Sequence, residues 1–290
     1  MNILIVGLGA IGSIYATKLK DYGFNVKVLL DKKRIERYKK DGIIFNGKRY
    51  DFEYILPEND FRADLIMICV KSTALDESIK NIENFVSEKS IIMSLVNGIS
   101  SEEKIKRTYP RAKVLYSYYV GHSSMRKGNK ITYDGIGKTV FEKNNLIKEM
   151  FDKIKIEYET PDDIISCMWQ KFIINIGANQ TTAILKQEYS CFKYPKAREF
   201  TRELMQEGVK IAKHLNIAGY EHFIDKAFDF IDSIPENCKT SMLQDFEDGR
   251  ETEVDIFAGE IYRLGKKYGI ETPRNYYVYK TLSKMKNDIA

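Results

Sequence analysis

The sequence predicts an α/β fold in which an N-terminal doubly wound parallel sheet is joined to an all-α C-terminal half. Three observations predict it. A short apolar strand, residues 3–6 (ILIV), runs straight into a glycine-rich turn and a helix. Wholly apolar strands, of the kind buried on both faces of a parallel sheet, then alternate with helical stretches. From Asp162 the pattern changes to helix after helix, which places a boundary there and predicts two domains, 1–161 and 162–290.

The turn Gly7, Leu8, Gly9, Ala10, Ile11, Gly12 has the form G-x-G-x-x-G between a strand and a helix (13–22, ended by Gly23). That context makes it a dinucleotide fingerprint of a Rossmann-type domain. Gly7 permits the tight turn, Gly9 lets backbone approach a pyrophosphate, and Gly12 lets helix meet strand. The helix N-terminus offers unpaired N–H groups and a positive dipole end to the phosphates. Asp31 ends the second strand (26–30), where an acidic residue bonds a ribose 2′-hydroxyl and favours NAD. Lys32, Lys33 and Arg34 come directly after it and suit a 2′-phosphate instead, so NADH and NADPH both stay open.

Residues 38–57 hold short strands around Asn46-Gly47, a hairpin signal. Strand 64–70 ends at Lys71, and strand 90–96 ends at Asn97-Gly98. Ligands of open α/β sheets lie beyond the carboxyl ends of strands, so the glycine turn, Asp31, Lys71 and Asn97 are expected in one crevice. Lys71 and Asn97 taken singly also fit as plain loop residues. A strand at 114–120, an edge hairpin at 131–141, a helix at 144–155 and a last strand at 156–160 complete this half. Residues 161–163 (PDD) cap the first helix of the second half.

Helices are expected at 162–185, 195–215, 220–234, 236–246, 252–268 and 274–286. In the first, Lys171, Asn175 and Asn179 recur at i, i+4 and i+8 and so line one face. Phe172, Ile173, Ile174 and Ile176 fill most of the remaining circumference, which predicts a largely buried helix. Polar groups buried without partners cost about 1–3 kcal/mol each, so this row bonds either a ligand or neighbouring backbone and water. Ser241 fits a ligand contact or a cap, and Asp248-Gly249 interrupts the helix after it. Glu253 is expected to open the next helix beside its apolar face, either at a site or as a first-turn acid favoured by the dipole.

Composition narrows the function. Across 290 residues, 43% hydrophobic and 30% charged side chains describe an ordinary globular chain. A net charge of +5 suits anionic small molecules and is too weak and dispersed for nucleic acid. The four cysteines and three histidines show no metal-ligand spacing, so no metal is expected, and a reduced cytoplasmic setting is the simplest inference. Neither a signal peptide nor an apolar run near the ~20 residues of a membrane span is visible. Surplus apolar residues on the C-terminal helices allow a homodimer.

With these residues in view, the chain resembles the ketopantoate reductase family (2-dehydropantoate 2-reductase) over nearly its whole length. The resemblance rests on the terminal G-x-G-x-x-G, Lys71, Asn97-Gly98, the W-x-K-x-x-x-N-x-x-x-N stretch from Trp169, and the residues from Ser241 to Asp255. It implies NADPH-dependent reduction of ketopantoate, a small 2-keto acid, in a site between the two domains. It further implies Lys171 as general acid, Asn175 and Asn179 as keto-acid contacts, and Ser241 as a carboxylate contact. Glu253 is implied near cofactor and substrate hydroxyl, Asn97 at both ligands, and Lys71 and Ser124 at the cofactor. Two departures stand out. Asp31 replaces an arginine of well-known NADPH-dependent members, and Tyr189 replaces an asparagine that binds substrate in some.

Overall fold

Apolar strands of four or five residues, Asn2–Val6, Asn25–Leu29, Leu65–Ile68 and Ile91–Ser94, each followed by a turn and a helix, build the centre of a parallel sheet in the first half. The computed structural model describes residues 1–121 and 124–287, and the side chains of all of these but 124, 125 and 285–287. It divides the chain into two units, the first being Met1–Ile164 and the second beginning at Ile165.

In the first unit, β1 (Asn2–Val6) leads into α1 (Ala10–Tyr22), and β2 (Asn25–Leu29) into α2 (Lys32–Asp41). A hairpin comes next, β3 (Ile43–Phe45) and β4 (Lys48–Tyr50), with Asn46 and Gly47 at φ 47° and 81° as a two-residue turn of this hand requires. Then come β5 (Glu53–Ile55), β6 (Leu65–Ile68), α3 (Leu75–Asn81), β7 (Ile91–Ser94), α4 (Ser101–Thr108) and β8 (Lys113–Leu115). The main sheet runs β5-β2-β1-β6-β7-β8, parallel throughout. Counting its own strands, the order is 3-2-1-4-5-6, the doubly wound arrangement expected. Alternate residues of β1 serve its two faces, Ile3 and Ile5 one core, Leu4 and Val6 the other.

Beyond β8 the chain departs from the expected pattern. The 114–120 stretch is two strands, because the chain leaves the main sheet at Tyr116 and continues as β9 (Ser117–Val120) in a three-stranded sheet. The 131–141 stretch is no hairpin. After β10 (Ser124–Lys127), β11 (Lys130–Tyr133) pairs with β10 and β3, whereas β12 (Lys138–Phe141) pairs with β9 and β13 (Tyr158–Glu159). Gly135 and Gly137, at φ 89° and 135°, turn the chain into another sheet instead of back onto β11. Helix α5 (Asn145–Ile154) is capped by Asn144, whose side chain accepts the Ile147 N–H.

The second unit is helical: α6 (Ile164–Ile174), α7 (Gln180–Leu185), α8 (Pro195–His214), α9 (Phe223–Ser233), α10 (Ser241–Glu247), α11 (Glu260–Tyr268) and α12 (Pro273–Asn287). Three boundaries differ from expectation. The helix expected over 162–185 widens into a π turn at Asn175–Asn179, and a second π turn, Asp255–Gly259, precedes α11. The helix expected from 236 starts at Ser241, because Thr240 caps it by accepting the Leu243 N–H. Among the described residues no helix is long and apolar enough to cross a membrane.

Candidate active site

In the first unit the glycine turn, Asp31, Lys71 and Asn97 come after β1, β2, β6 and β7, four neighbouring parallel strands, and so stand at one carboxyl edge. The three glycines have different reasons for being there. Gly7 sits at φ 93°, and a Cβ on it would lie 2.8 Å from Val70 Cγ1. A Cβ on Gly12 would lie 2.0 Å from the Gly7 carbonyl oxygen, so helix and turn touch backbone to backbone. A Cβ on Gly9 would meet only the Cys69 carbonyl, at 3.8 Å. The chain's own packing therefore does not require glycine at 9, and the space there fits a close-approaching pyrophosphate. No side chain caps α1, whose first N–H groups point the same way.

Asp31 caps α2: Oδ1 accepts the Arg34 N–H at 2.8 Å, and Oδ2 lies 3.2 Å from Arg34 Nε. The acid and the base that argued for opposite coenzymes thus hold each other. The pair is exposed, and such pairs contribute at most about 1 kcal/mol.

Arg126, on β10, carries no signal in the sequence. Its guanidinium donates to the Leu8 carbonyl inside the glycine turn and to the Tyr38 hydroxyl, and Nε donates to the Gly128 carbonyl at 2.8 Å. A strand 118 residues away thereby braces the turn, and no local pattern announces such a contact. Ser124 opens the same strand, and its side chain lies outside the described residues. Lys71 is exposed and Asn97 half-buried.

In the second unit the polar row runs from Lys171 in α6 to Asn175 and Asn179 at the two ends of the first π turn. Lys171 and Asn175 are half-buried, and Asn179 is buried, as are Phe172, Ile173 and Ile176 of the same helical stretch. Asn179 Nδ2 donates to Asn175 Oδ1 at 3.1 Å. Asn179 Oδ1 accepts from Ser241 Oγ at 3.1 Å and from the Met242 N–H at 3.2 Å. Asn175, Asn179 and Ser241 are therefore one hydrogen-bonded group. The two π turns contact each other, and Phe172 of α6 packs on Phe257 of the second, with ring centroids 6.3 Å apart. Single π turns of this kind recur at functional sites, where they re-aim side chains.

Glu253 is buried at 8% exposure, in a bend before the second π turn and not at the start of a helix. Behind the row, Gln180 Nε2 donates to Asn275 Oδ1 at 3.1 Å, and Asn275 Nδ2 donates to the buried Glu207 carboxylate at 2.8 Å. Tyr189 is buried against Phe192, with its N–H on the Cys238 carbonyl at 3.0 Å, and burial pushes its phenol up to about 12. Among the described residues no cluster of His, Cys, Asp and Glu is arranged to hold a metal ion.

Comparison with known sequences fits this arrangement. The family profile described as Ketopantoate reductase PanE/ApbA matches residues 3–145, and its C-terminal counterpart matches 163–286. The chain belongs to the ketopantoate reductase family. It is thus of an NAD(P)-dependent oxidoreductase family. A 2-dehydropantoate 2-reductase of Aquifex aeolicus is 29% identical to it, over 97% of this chain and 95% of that one. A PanE/ApbA family ketopantoate reductase from Ralstonia eutropha superposes with a TM-score of 0.90 at 21% identity, over 100% and 99% of the two chains. D-mandelate dehydrogenase in complex with NADH shares the fold too, with a TM-score of 0.89 at 22% identity over 100% of both chains. Within this family fold, the residues that no sequence motif announced are Arg126 at the glycine turn and the Gln180–Asn275–Glu207 chain behind the polar row.

Proposed function

We propose that the chain is a 2-dehydropantoate 2-reductase, reducing ketopantoate to (R)-pantoate with NADH or NADPH in pantothenate and coenzyme A biosynthesis. The observation that carries this reading is the joined group of Asn175, Asn179 and Ser241: the two asparagines follow Lys171 one and two turns on, and Ser241 reaches them from α10. When bound, the reduced nicotinamide supplies a hydride to the ketone carbon. The backbone N–H groups of the glycine turn and of α1 hold the dinucleotide phosphates. As the carbonyl π electrons move onto oxygen, the Lys171 ammonium stabilises the growing charge and donates its proton there, to be replaced from water. Asn175, Asn179 and Ser241 fix the keto acid through neutral hydrogen bonds, and Glu253 holds the substrate hydroxyl or orients Lys171.

A second reading has an observation in its favour. Tyr189 is buried where some members carry a substrate-binding asparagine, and D-mandelate dehydrogenase shares the fold. On that reading the substrate is another branched or aromatic 2-keto acid. The experiment that separates the two is kcat/KM on ketopantoate beside phenylglyoxylate and simple branched 2-keto acids, with NADH and NADPH in parallel. The primary reading requires ketopantoate to lead. A lead for phenylglyoxylate establishes the second.

A further inference from the structure

One buried acid lies close to the Asn97 turn and takes no part in hydride or proton transfer. Glu102, in the first turn of α4, is completely buried. Its Oε2 accepts from Ser101 Oγ at 2.8 Å, and its Oε1 faces the Ser117 N–H at 3.5 Å. Ser117 on β9 also donates through Oγ to the Ser94 carbonyl at 2.9 Å. Ser94 ends β7 and Ser101 starts α4, so Ser117 anchors both ends of the segment between them. That segment, 95–100, carries Asn97 and Gly98, the latter at φ 102°. Ser94 and Ser117 are as fully buried as Glu102, so the connection is dry.

We propose that Glu102 is a positioning residue for Asn97: its buried carboxyl pins the turn that carries Asn97, and ionising that carboxyl loosens the turn. This rests on the reading of Asn97 as a dinucleotide contact. Every bonded partner of Glu102 is a neutral donor, so burial dominates and pushes its carboxyl up to about 7. Lys106 on the same helix opposes this only weakly, less than the Ser101 and Ser117 hydrogen bonds do. Glu103 on α4 accepts from the Tyr116 hydroxyl and Glu142 from the Tyr116 N–H, Lys106 lies over the Tyr116 ring, and Lys113 on β8 is exposed, so none of these cations bonds the Glu102 carboxyl. A carboxyl raised in the closed state returns toward its ordinary 4.5 when the turn opens to water. Opening is therefore favoured as pH rises, by about tenfold between pH 6 and pH 8 on these two values.

Glutamine is the shape of the protonated acid and does not ionise. The test uses the full chain as wild type, Glu102→Gln and Glu102→Ala. Amide hydrogen exchange of residues 95–100 is followed without ligand from pH 6 to 8 and corrected for intrinsic rate, and NADPH and NADH affinities are titrated by fluorescence. Wild type is expected to lose about tenfold protection over that range, Glu102→Gln to stay flat and protected, and Glu102→Ala to exchange fast throughout. Dinucleotide Kd at pH 8 should rise from Glu102→Gln to wild type to Glu102→Ala. Exchange in Glu102→Gln that tracks wild type across the range overturns the proposal, whatever Glu102→Ala does. Dinucleotide binding by none of the three proteins instead removes the reading of Asn97, and the exchange profile still decides whether Glu102 pins the turn.

Discussion

The side-chain oxygen of Asn179 takes two hydrogen bonds from the start of α10, one from Ser241 Oγ and one from the Met242 N–H. It thereby joins the π turn to a helix more than sixty residues on. Asn179→Ala leaves the buried Met242 N–H without its acceptor, which costs about 1–3 kcal/mol. Asn175→Ala leaves that bond intact and should cost less than half as much. Denaturant titration of the two variants checks the order, and the same pair should show raised KM for the keto acid.

Gly9 and Gly12 separate binding from folding. Gly12→Ala forces a Cβ onto the Gly7 carbonyl, and overpacking of this kind costs roughly 1–3 kcal/mol or more. Gly9→Ala has room within the chain, so its melting temperature should match wild type while NADPH and NADH affinity falls by at least about tenfold, the cost of keeping a phosphate off the backbone. Calorimetry and fluorescence titration together read both effects. Unchanged affinity in Gly9→Ala would place the phosphates elsewhere.

The glycine turn, the parallel strands and the helical half are legible in the sequence because each arises from local backbone chemistry or a short hydrophobic period. The π turns are not legible, since Lys171, Asn175 and Asn179 read equally well at 3.6 residues per turn. Asn179 and Ser241 each stand out singly, but their hydrogen bond joins separate helices and leaves no spacing signal. Arg126 is hidden for the same reason, bonding Leu8 across 118 residues. The 131–141 stretch misleads because hairpin signals report turns and not partners: β11 pairs with β3, far back in the chain.

Glu207 is buried and accepts three hydrogen bonds at the start of α12: the Arg274 N–H at 2.8 Å, the Asn275 N–H at 2.9 Å and Asn275 Nδ2 at 2.8 Å. Bonds to a charged acceptor contribute about 1.5–3 kcal/mol each, so Glu207→Ala should lower stability by several kcal/mol. Glu207→Gln, which keeps one acceptor oxygen, should recover part of it. Equal melting temperatures for the three proteins would show that α12 does not need this cap.

Stability should also fall as pH rises. The Glu102 carboxyl stands at about 7 in the fold against 4.5 ordinarily, so its contribution is fully present below about pH 4.5 and is lost as pH rises through about 7. The span corresponds to at most about 3–4 kcal/mol. Urea titrations at pH 5.5 and 8 should show the loss in wild type and not in Glu102→Gln. A wild type equally stable at both pH values would contradict it.

The central claim is that the Lys171 ammonium hands its proton to the ketone oxygen. The most direct measurement is kcat of Lys171→Ala on ketopantoate, read from the loss of nicotinamide absorbance, with NADPH affinity titrated on the same preparation. With the proton donor gone, kcat should be lower by roughly 10²–10⁴-fold, the range for acid–base groups, and cofactor affinity should be kept. A folded variant turning over at the wild-type rate would contradict it.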